Sequence, residues 1–278
     1  MTPPITASRA RVLSIAGSDS GGGAGIQADI KAITALGGYA MTAITALTAQ
    51  NTQGVQDILP IPPGFVREQI RSVVSDIGVD AIKTGMLGGV AQTQTVAEEI
   101  ARIRQQKPDL VVVVDPVMVA KGGAALLAED AVACLHTTLL PLATLITPNL
   151  PEAEKLTGQS IHTEEDMRAA ALWLHERTGA SVLLKGGHMA GENLVDVLLG
   201  PTGFTTFTGR RIATRHTHGT GCTLASALAT TLAQGLSLPD ALSQSCLYVQ
   251  EAILQAPELG RGAGPLWHAH AWYPAVRS

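Results

Sequence analysis

Aromatic side chains are scarce in this 278-residue sequence, at 3% of the total. The apolar weight, 46% of residues, therefore sits in Ala, Val, Leu and Ile, which suits helices packed on a largely buried parallel sheet. Cysteine is scarce too. Cys134, Cys222 and Cys246 are odd in number and far apart, which excludes a disulfide framework and a Cys-based metal site and points to reduced thiols. There is no surplus of positive charge: the formal net charge is −4. That excludes an electrostatic footprint for nucleic acid, and the absence of any basic run excludes attraction to an anionic membrane surface. No stretch approaches the roughly 18 apolar residues of a membrane span. The short apolar run after Arg9 and Arg11 leads into a glycine-rich loop rather than a cleavage site, so no signal peptide is read and a cytoplasmic protein is expected. Residues 16–30, "AGSDSGGGAGIQADI", are dense in glycine yet match neither G-x-x-x-x-G-K-[ST] nor a G-x-G-x-x-G fingerprint. A P-loop and a dinucleotide fold are thereby disfavoured. The remaining class of partner is a small molecule.

What is present is an alternation. Apolar, β-branched runs predict strands at 11–17, 40–51, 80–85, 109–116, 143–149 and 181–187, with a hairpin through 194–209. Between them, helices are predicted at 24–37, 63–78, about 90–105, about 128–140 and about 164–177, and two more follow the hairpin at about 221–234 and 239–255. No linker, repeat or low-complexity stretch divides the chain, so one α/β domain over 1–278 is expected, with a mostly parallel sheet covered by helices on both faces. Ligands of such sheets bind beyond the carboxyl ends of the strands. The clusters "GSDSGGG", "AQN", "KTGM", "DPVM", "TPNLPE" and "KGGH" each follow an apolar run, so they should gather along one sheet edge.

Within "HTHGTGCT" (216–223), Gly219-Thr220-Gly221-Cys222 opens an alanine-rich helix. Glycines admit close backbone approach, and a helix start offers unpaired N–H groups and a positive dipole end, together an anion pocket suited to a phosphoryl group in transfer. A thiol in that first turn is expected to have a lowered pKa. Taken alone, the segment reads first as a tight turn with a buried structural cysteine, and the other clusters shift that balance. Asn149 and Glu152, three apart at a strand–helix junction, suit a hydrated Mg²⁺, although taken alone they read first as a helix cap with a first-turn carboxylate. Lys185 closes a strand before two glycines, where a cation can neutralise phosphate charge or simply reach solvent. Asp115 ends four valines, where it needs a cation or donors unless it only forms an Asp-Pro turn. Asp29 is read as facing a substrate held by the 16–30 loop, or as a plain polar-face residue. The Gln50 carboxamide carries a donor and an acceptor, a match for an aminopyrimidine edge.

As a set, these segments resemble the ribokinase superfamily, and within it the hydroxymethylpyrimidine/phosphomethylpyrimidine kinases of thiamine biosynthesis. The resemblance runs from "IAGSDSGGGAGIQADIKA" through "ITALTAQNT", "KTGML", "DPVM", "LITPNLPEAEKLTG" and "LLKGGH" to "HTHGTGCTLASALA" and the tail "GAGPLWHAHAW". It implies a ribokinase-like three-layer sandwich, with ATP and Mg²⁺ as cosubstrate and cofactor. It implies phosphorylation of 4-amino-5-hydroxymethyl-2-methylpyrimidine on its hydroxymethyl and then on the resulting phosphate. By this resemblance Gly219, Thr220, Gly221 and Cys222 form the anion hole, with Cys222 where sugar kinases place a catalytic Asp. Gln50 binds the pyrimidine, Gly17, Asp29, Met86 and Val117 line its pocket, Asn149 and Glu152 organise Mg²⁺ and phosphate beside Asp115, and Lys185 lies over the nucleotide phosphates. Ser20 departs from the proline common after the Asp, which touches loop rigidity only. A homodimer is the family's implied default. Two other readings stand beside this one: a pyridoxal-type vitamin kinase, which Gln50 disfavours, and a non-catalytic binding module, which intact Lys185, Glu152 and Gly219–Cys222 disfavour.

Overall fold

Among the residues that the computed structural model describes (9–118, 129–187 and 193–273), nine strands form one sheet in the order β3-β2-β1-β4-β5-β6-β7-β8-β9. The strands are β1 Arg11–Asp19, β2 Tyr39–Asn51, β3 Gly54–Pro60, β4 Ala81–Thr84, β5 Val111–Val114, β6 Leu145–Ile146, β7 Ser181–Lys185, β8 Asn193–Gly200 and β9 Gly203–Arg210. From β2 across to β7 all pairings are parallel, while β3 at one edge and β8–β9 at the other are antiparallel.

The parallel run is apolar on both faces because both are covered. Successive residues go to opposite sides. Val12, Ala81, Val113 and Leu183 pack under α1 (Gly25–Ala35), α7 (Thr220–Ala233) and α8 (Leu238–Leu254). Their neighbours Leu13, Ile82, Val112 and Leu184 join Val66, Ile70, Ile100, Ala153 and Leu174. Those come from α2 (Pro63–Asp76), α3 (Val90–Gln106), α5 (Leu150–Thr157) and α6 (Glu164–Thr178). The alanines of α7 serve the same end: Ala225, Ala227 and Ala229 are fully buried, and only small side chains let this helix lie close to the sheet between α1 and α8. The three-layer α/β arrangement agrees with the expectation.

Departures from the expected elements have local causes. β3 is absent from the sequence reading because it is an edge strand with Gln56–Pro60 exposed, so it carries no apolar alternation. The single helix expected over about 128–140 is a short α4 (Glu129–Cys134) followed by a π turn at Leu135–Leu139 and a 3-10 turn at Leu140–Leu142, where Pro141 cannot donate. Its expected first position, 128, lies outside the described residues. β6 shrinks to two residues because Pro148 follows closely.

From β1 the chain goes one way to β2 and β3, and from β4 it proceeds the other way to β9. The strand order therefore reverses between β1 and β4, and a crevice opens beyond their carboxyl ends.

Candidate active site

A cavity of about 1110 Å³ fills this crevice. Gly17, Gln50, Met86, Asp115, Val117, Asn149, Glu152, Lys185 and the turn Gly219–Cys222 all line it. Of the site residues expected from sequence, only Asp29 is missing from its wall.

The turn explains its two glycines. Gly219 is left-handed (φ 84°), and a Cβ there would collide with the carbonyl oxygen of Gly23. It precedes α7 without a side-chain cap, and the first backbone ring closes only at Thr223 N–H, which donates to Gly219 O at 2.9 Å. The N–H groups of Gly221 and Cys222 come before that ring, at the positive end of a 14-residue helix. A Cβ on Gly221 would stand 3.5 Å from both Asp115 Oδ2 and Lys185 Nζ, so the helix end faces that pair directly. Lys185 Nζ donates to Asp115 Oδ1 at 3.0 Å, and the Thr147 hydroxyl donates to the same oxygen at 3.1 Å. Burial opposes the charge on Lys185, yet Asp115 and Glu152 outweigh it and its pKa rises. The ammonium is fixed in the cavity wall rather than reaching solvent.

Asn149 and Glu152 take the capping arrangement that their spacing allows. Asn149 Oδ1 accepts from Glu152 N–H (2.9 Å) and Glu152 Oε2 accepts from Asn149 N–H (2.8 Å), a reciprocal capping box on α5. Both nevertheless border the cavity. Burial pushes the Glu152 carboxyl up to about 7, Lys185 pulls it down, and the Asp115 charge raises it again. Two enclosed carboxylates share one lysine here, an arrangement short of positive charge. No group of three or more His, Cys, Asp or Glu among the described residues could hold a metal by itself. That donor set fits Mg²⁺, which keeps several waters and takes the rest of its oxygen ligands from phosphates.

Two expectations need correction. The first is the thiol. Cys222 sits in the first turn of α7, but burial pushes its pKa up to about 11. Lys83 and a hydrogen bond from the Gly25 N–H pull it down, while Asp29 and Asp115 push it further up. Desolvation outweighs the helix end, so without ligands the group is a thiol and not a thiolate. The second is Asp29. It is fully buried on α1, with both carboxylate oxygens 2.9 Å from the Nζ of equally buried Lys83. Ser14 and Ser226 hydroxyls donate to it as well. A carboxylate so enclosed faces a cation beneath the site instead of a substrate.

Gln50 stands at the end of β2, and Met86 follows β4 so closely that its Cε fills the space a Cβ on Gly17 would need. Sequence reasoning passed over Asp19 and His218. Asp19 accepts from the N–H groups of Gly21, Gly23 and Ala24 and lies 2.9 Å from His218 Nε2. The available signal was an Asp before three glycines, a turn whose N–H groups converge on a carboxylate. The far end of the cavity is apolar, with Leu224, Phe207, Leu247 and Ile253 from α7, β9 and α8.

A parallel sheet with its crevice at the strand reversal, a glycine-opened helix end and a fixed lysine facing that end define a phosphotransferase of ribokinase-like architecture. Relatives narrow this. The family model described as phosphomethylpyrimidine kinase matches residues 19–267. The chain is 52% identical over 260 residues to the thiamine biosynthesis bifunctional protein ThiED of Geobacter sulfurreducens, covering 94% of this chain and 52% of that protein, so it spans about half of that relative's length. It is 49% identical over 270 residues to the hydroxymethylpyrimidine/phosphomethylpyrimidine kinase of Streptomyces coelicolor, covering 97% of each. Among solved structures, an ADP complex of Bacillus subtilis pyridoxal kinase aligns with TM-score 0.85 and 37% identity, over 95% of this chain and 99% of that one. The phosphomethylpyrimidine kinase of Clostridium difficile aligns with TM-score 0.77 and 40% identity, over 88% and 100%. The chain belongs to the phosphomethylpyrimidine kinase family.

Proposed function

We propose that this protein transfers the γ-phosphoryl group of ATP to 4-amino-5-hydroxymethyl-2-methylpyrimidine, first onto the hydroxymethyl oxygen and then onto the phosphate so formed, a step of thiamine biosynthesis. One observation carries the reading: the α7 opening faces the Lys185–Asp115 pair, whose atoms lie 3.0 Å apart, in the same cavity that presents Gln50. The carboxamide pairs with the amino and ring-nitrogen edge of the pyrimidine, while Gly17, Met86 and Val117 flank the ring. The apolar end between α7, α8 and β9 takes the adenine. Glu152 and Asp115 would hold a hydrated Mg²⁺, whose chemistry is to neutralise charge on the bridging phosphate oxygens. The Gly221 and Cys222 N–H groups and the Lys185 ammonium stabilise the equatorial oxygens of the phosphoryl group in transfer. Asn149 keeps Glu152 in place through the capping box.

In the first transfer the nucleophile is an alcohol, whose proton must leave as the P–O bond forms. Cys222 is the group positioned to take it, and only its thiolate form can do so. The second nucleophile is an anionic phosphate oxygen, for which no strong base is required.

A pyridoxal-kinase reading draws on the structural likeness to such enzymes, including one from Staphylococcus aureus solved with AMP-PCP and pyridoxal (TM-score 0.86, 32% identity, 96% of each chain). Gln50 separates the two, since it suits an aminopyrimidine edge better than a phenolic oxygen and an aldehyde. Turnover of both compounds with ATP and Mg²⁺, side by side, tests this. Sequential mono- and diphosphate from the aminopyrimidine is expected, and turnover of pyridoxal alone would overturn the reading. The homodimer and the cytoplasmic setting belong to this proposal too, and a monomer mass by sedimentation would remove the first. No helix among the described residues is long and apolar enough to cross a membrane.

A further inference from the structure

His218 has no part in the chemistry above, yet it joins three pieces of the site. Its Nε2 lies 2.9 Å from Asp19 Oδ2 and 3.3 Å from the Gln50 side-chain nitrogen as placed. Its own N–H donates to Gly264 O at 3.1 Å, and Gly23 packs so tightly on the ring that a Cβ there would lie 2.5 Å from Cδ2. Neither ring nor carboxylate has room to turn away: the side chains are 12% and 4% exposed.

Donors and acceptors allow one consistent assignment. Asp19 already accepts three backbone N–H bonds and is held as a carboxylate, so the Nε2 facing it must carry a proton. A ring nitrogen that carries a proton cannot accept from an amide N–H. Gln50 must therefore turn its carbonyl oxygen to His218, making a three-centre bond with Asp19, and its NH₂ to the other neighbour, Thr48 Oγ1, 3.1 Å from the opposite amide atom. Thr48 is free to accept, because its own hydroxyl proton is committed to Ser18 O at 2.9 Å. The chain then runs from the Gln50 NH₂ to the Thr48 hydroxyl and on to the Ser18 carbonyl. From the other end, His218 Nε2–H donates to the Gln50 oxygen.

We infer that His218 is a positioning residue that locks the orientation of the Gln50 carboxamide and thereby makes this site select an amino over an oxo substituent on the pyrimidine. This rests on the aminopyrimidine reading of the site. One N–H and one oxygen lone pair of Gln50 remain for the ligand. The oxygen accepts from a 4-amino group and the N–H donates to ring N3. A 4-oxo ring, protonated at N3, reverses both roles. A locked amide then meets it with oxygen against oxygen and N–H against N–H, whereas a freely rotating amide turns over and binds it.

The test is calorimetric binding, without ATP, of 4-amino-5-hydroxymethyl-2-methylpyrimidine and its 4-oxo counterpart. Wild type should prefer the amino compound. His218→Leu should lower the amino-to-oxo affinity ratio roughly tenfold or more, the scale of one mispaired hydrogen bond. His218→Gln, which keeps a donor, should restore most of it. If His218→Leu does not fold, Thr48→Val loosens the same amide from its other end and should lower the ratio in the same direction. Equal weakening of both ligands in His218→Leu, with the ratio intact, would reduce His218 to a structural prop and overturn the inference. A wild type that binds the amino compound with no preference would also overturn it, leaving the substrate reading in place. A wild type that binds neither compound would overturn both.

Discussion

Cys222 carries its proton in the ligand-free molecule, and the burial that keeps it there is also what makes its thiolate a strong base. The consequence is a pH dependence with a definite sign. With the thiol at about 11, the thiolate fraction grows tenfold per pH unit through the neutral and alkaline range. The kcat/KM of the first phosphorylation should climb with it, while that of the second levels off in the alkaline part of the span, above the titration of Glu152 near 7. Two level profiles would leave Cys222 as a donor to the phosphoryl oxygens only. For the same reason Cys222→Ala, still folded, should slow the first transfer more than the second. Equal losses would show a purely positional role. Beneath the thiol, the Asp29–Lys83 pair calls for a paired test. Lys83→Met strands a buried carboxylate and should cost about 3–5 kcal/mol in denaturant unfolding, whereas Lys83→Met with Asp29→Asn should recover much of that loss. An unchanged midpoint in the single variant would contradict the ion pair as drawn.

At the scale of elements, the start of α7 and the 19–24 loop act as one unit, because Gly219 and Gly23 touch backbone to backbone. Gly219→Ala adds both a collision and a left-handed strain, and displaces the N–H groups of Gly221 and Cys222. Loss of such donors typically costs on the order of 100-fold in kcat. Most elements were legible in the sequence because a sheet buried on both faces writes itself as apolar runs between turn residues. Val111–Val114 and Leu183–Leu184 are examples. β3 was not legible, since an exposed edge strand needs no apolar face, and Pro141 divided a stretch whose apolar content reads as continuous helix. The site was legible where spacing determines geometry, as at Asn149 and Glu152 or at Gly219 and Gly221. It was not where tertiary burial decides. Asp29 and Asp19 stand in the same glycine-rich segment, and only packing tells which carboxylate meets a lysine beneath the site and which meets His218 on its wall. The thiol pKa failed likewise: a helix start is visible in sequence, and the desolvation that outweighs it is not.

At the scale of the molecule, the candidate site lies where the sheet's strand order reverses, and the segment with Pro265 and His268 packs beside the start of α7. His268, in that segment, receives or donates a bond with the Thr223 hydroxyl at 2.9 Å, one residue after Cys222. Burial, with Lys31 and His270 adding to it, lowers the His268 pKa to about 4. An unfolded histidine titrates near 6.5, so between about 6.5 and 4 the unfolded chain binds the extra proton. The stability tied to neutral His268 is therefore complete above about 6.5 and is lost as pH falls toward 4. His268→Gln should flatten the acid limb of a thermal-unfolding series across that window, and an unchanged limb would place the acid sensitivity elsewhere. The claim on which the functional account depends is that the α7 opening is the cradle of the migrating phosphoryl group in both reactions. Single-turnover transfer from γ-labelled ATP, followed into the monophosphate and the diphosphate in wild type and folded Gly219→Ala, tests it most directly. Both transfers should slow by a similar large factor, measured at saturating pyrimidine. Undiminished transfer in that variant would contradict it.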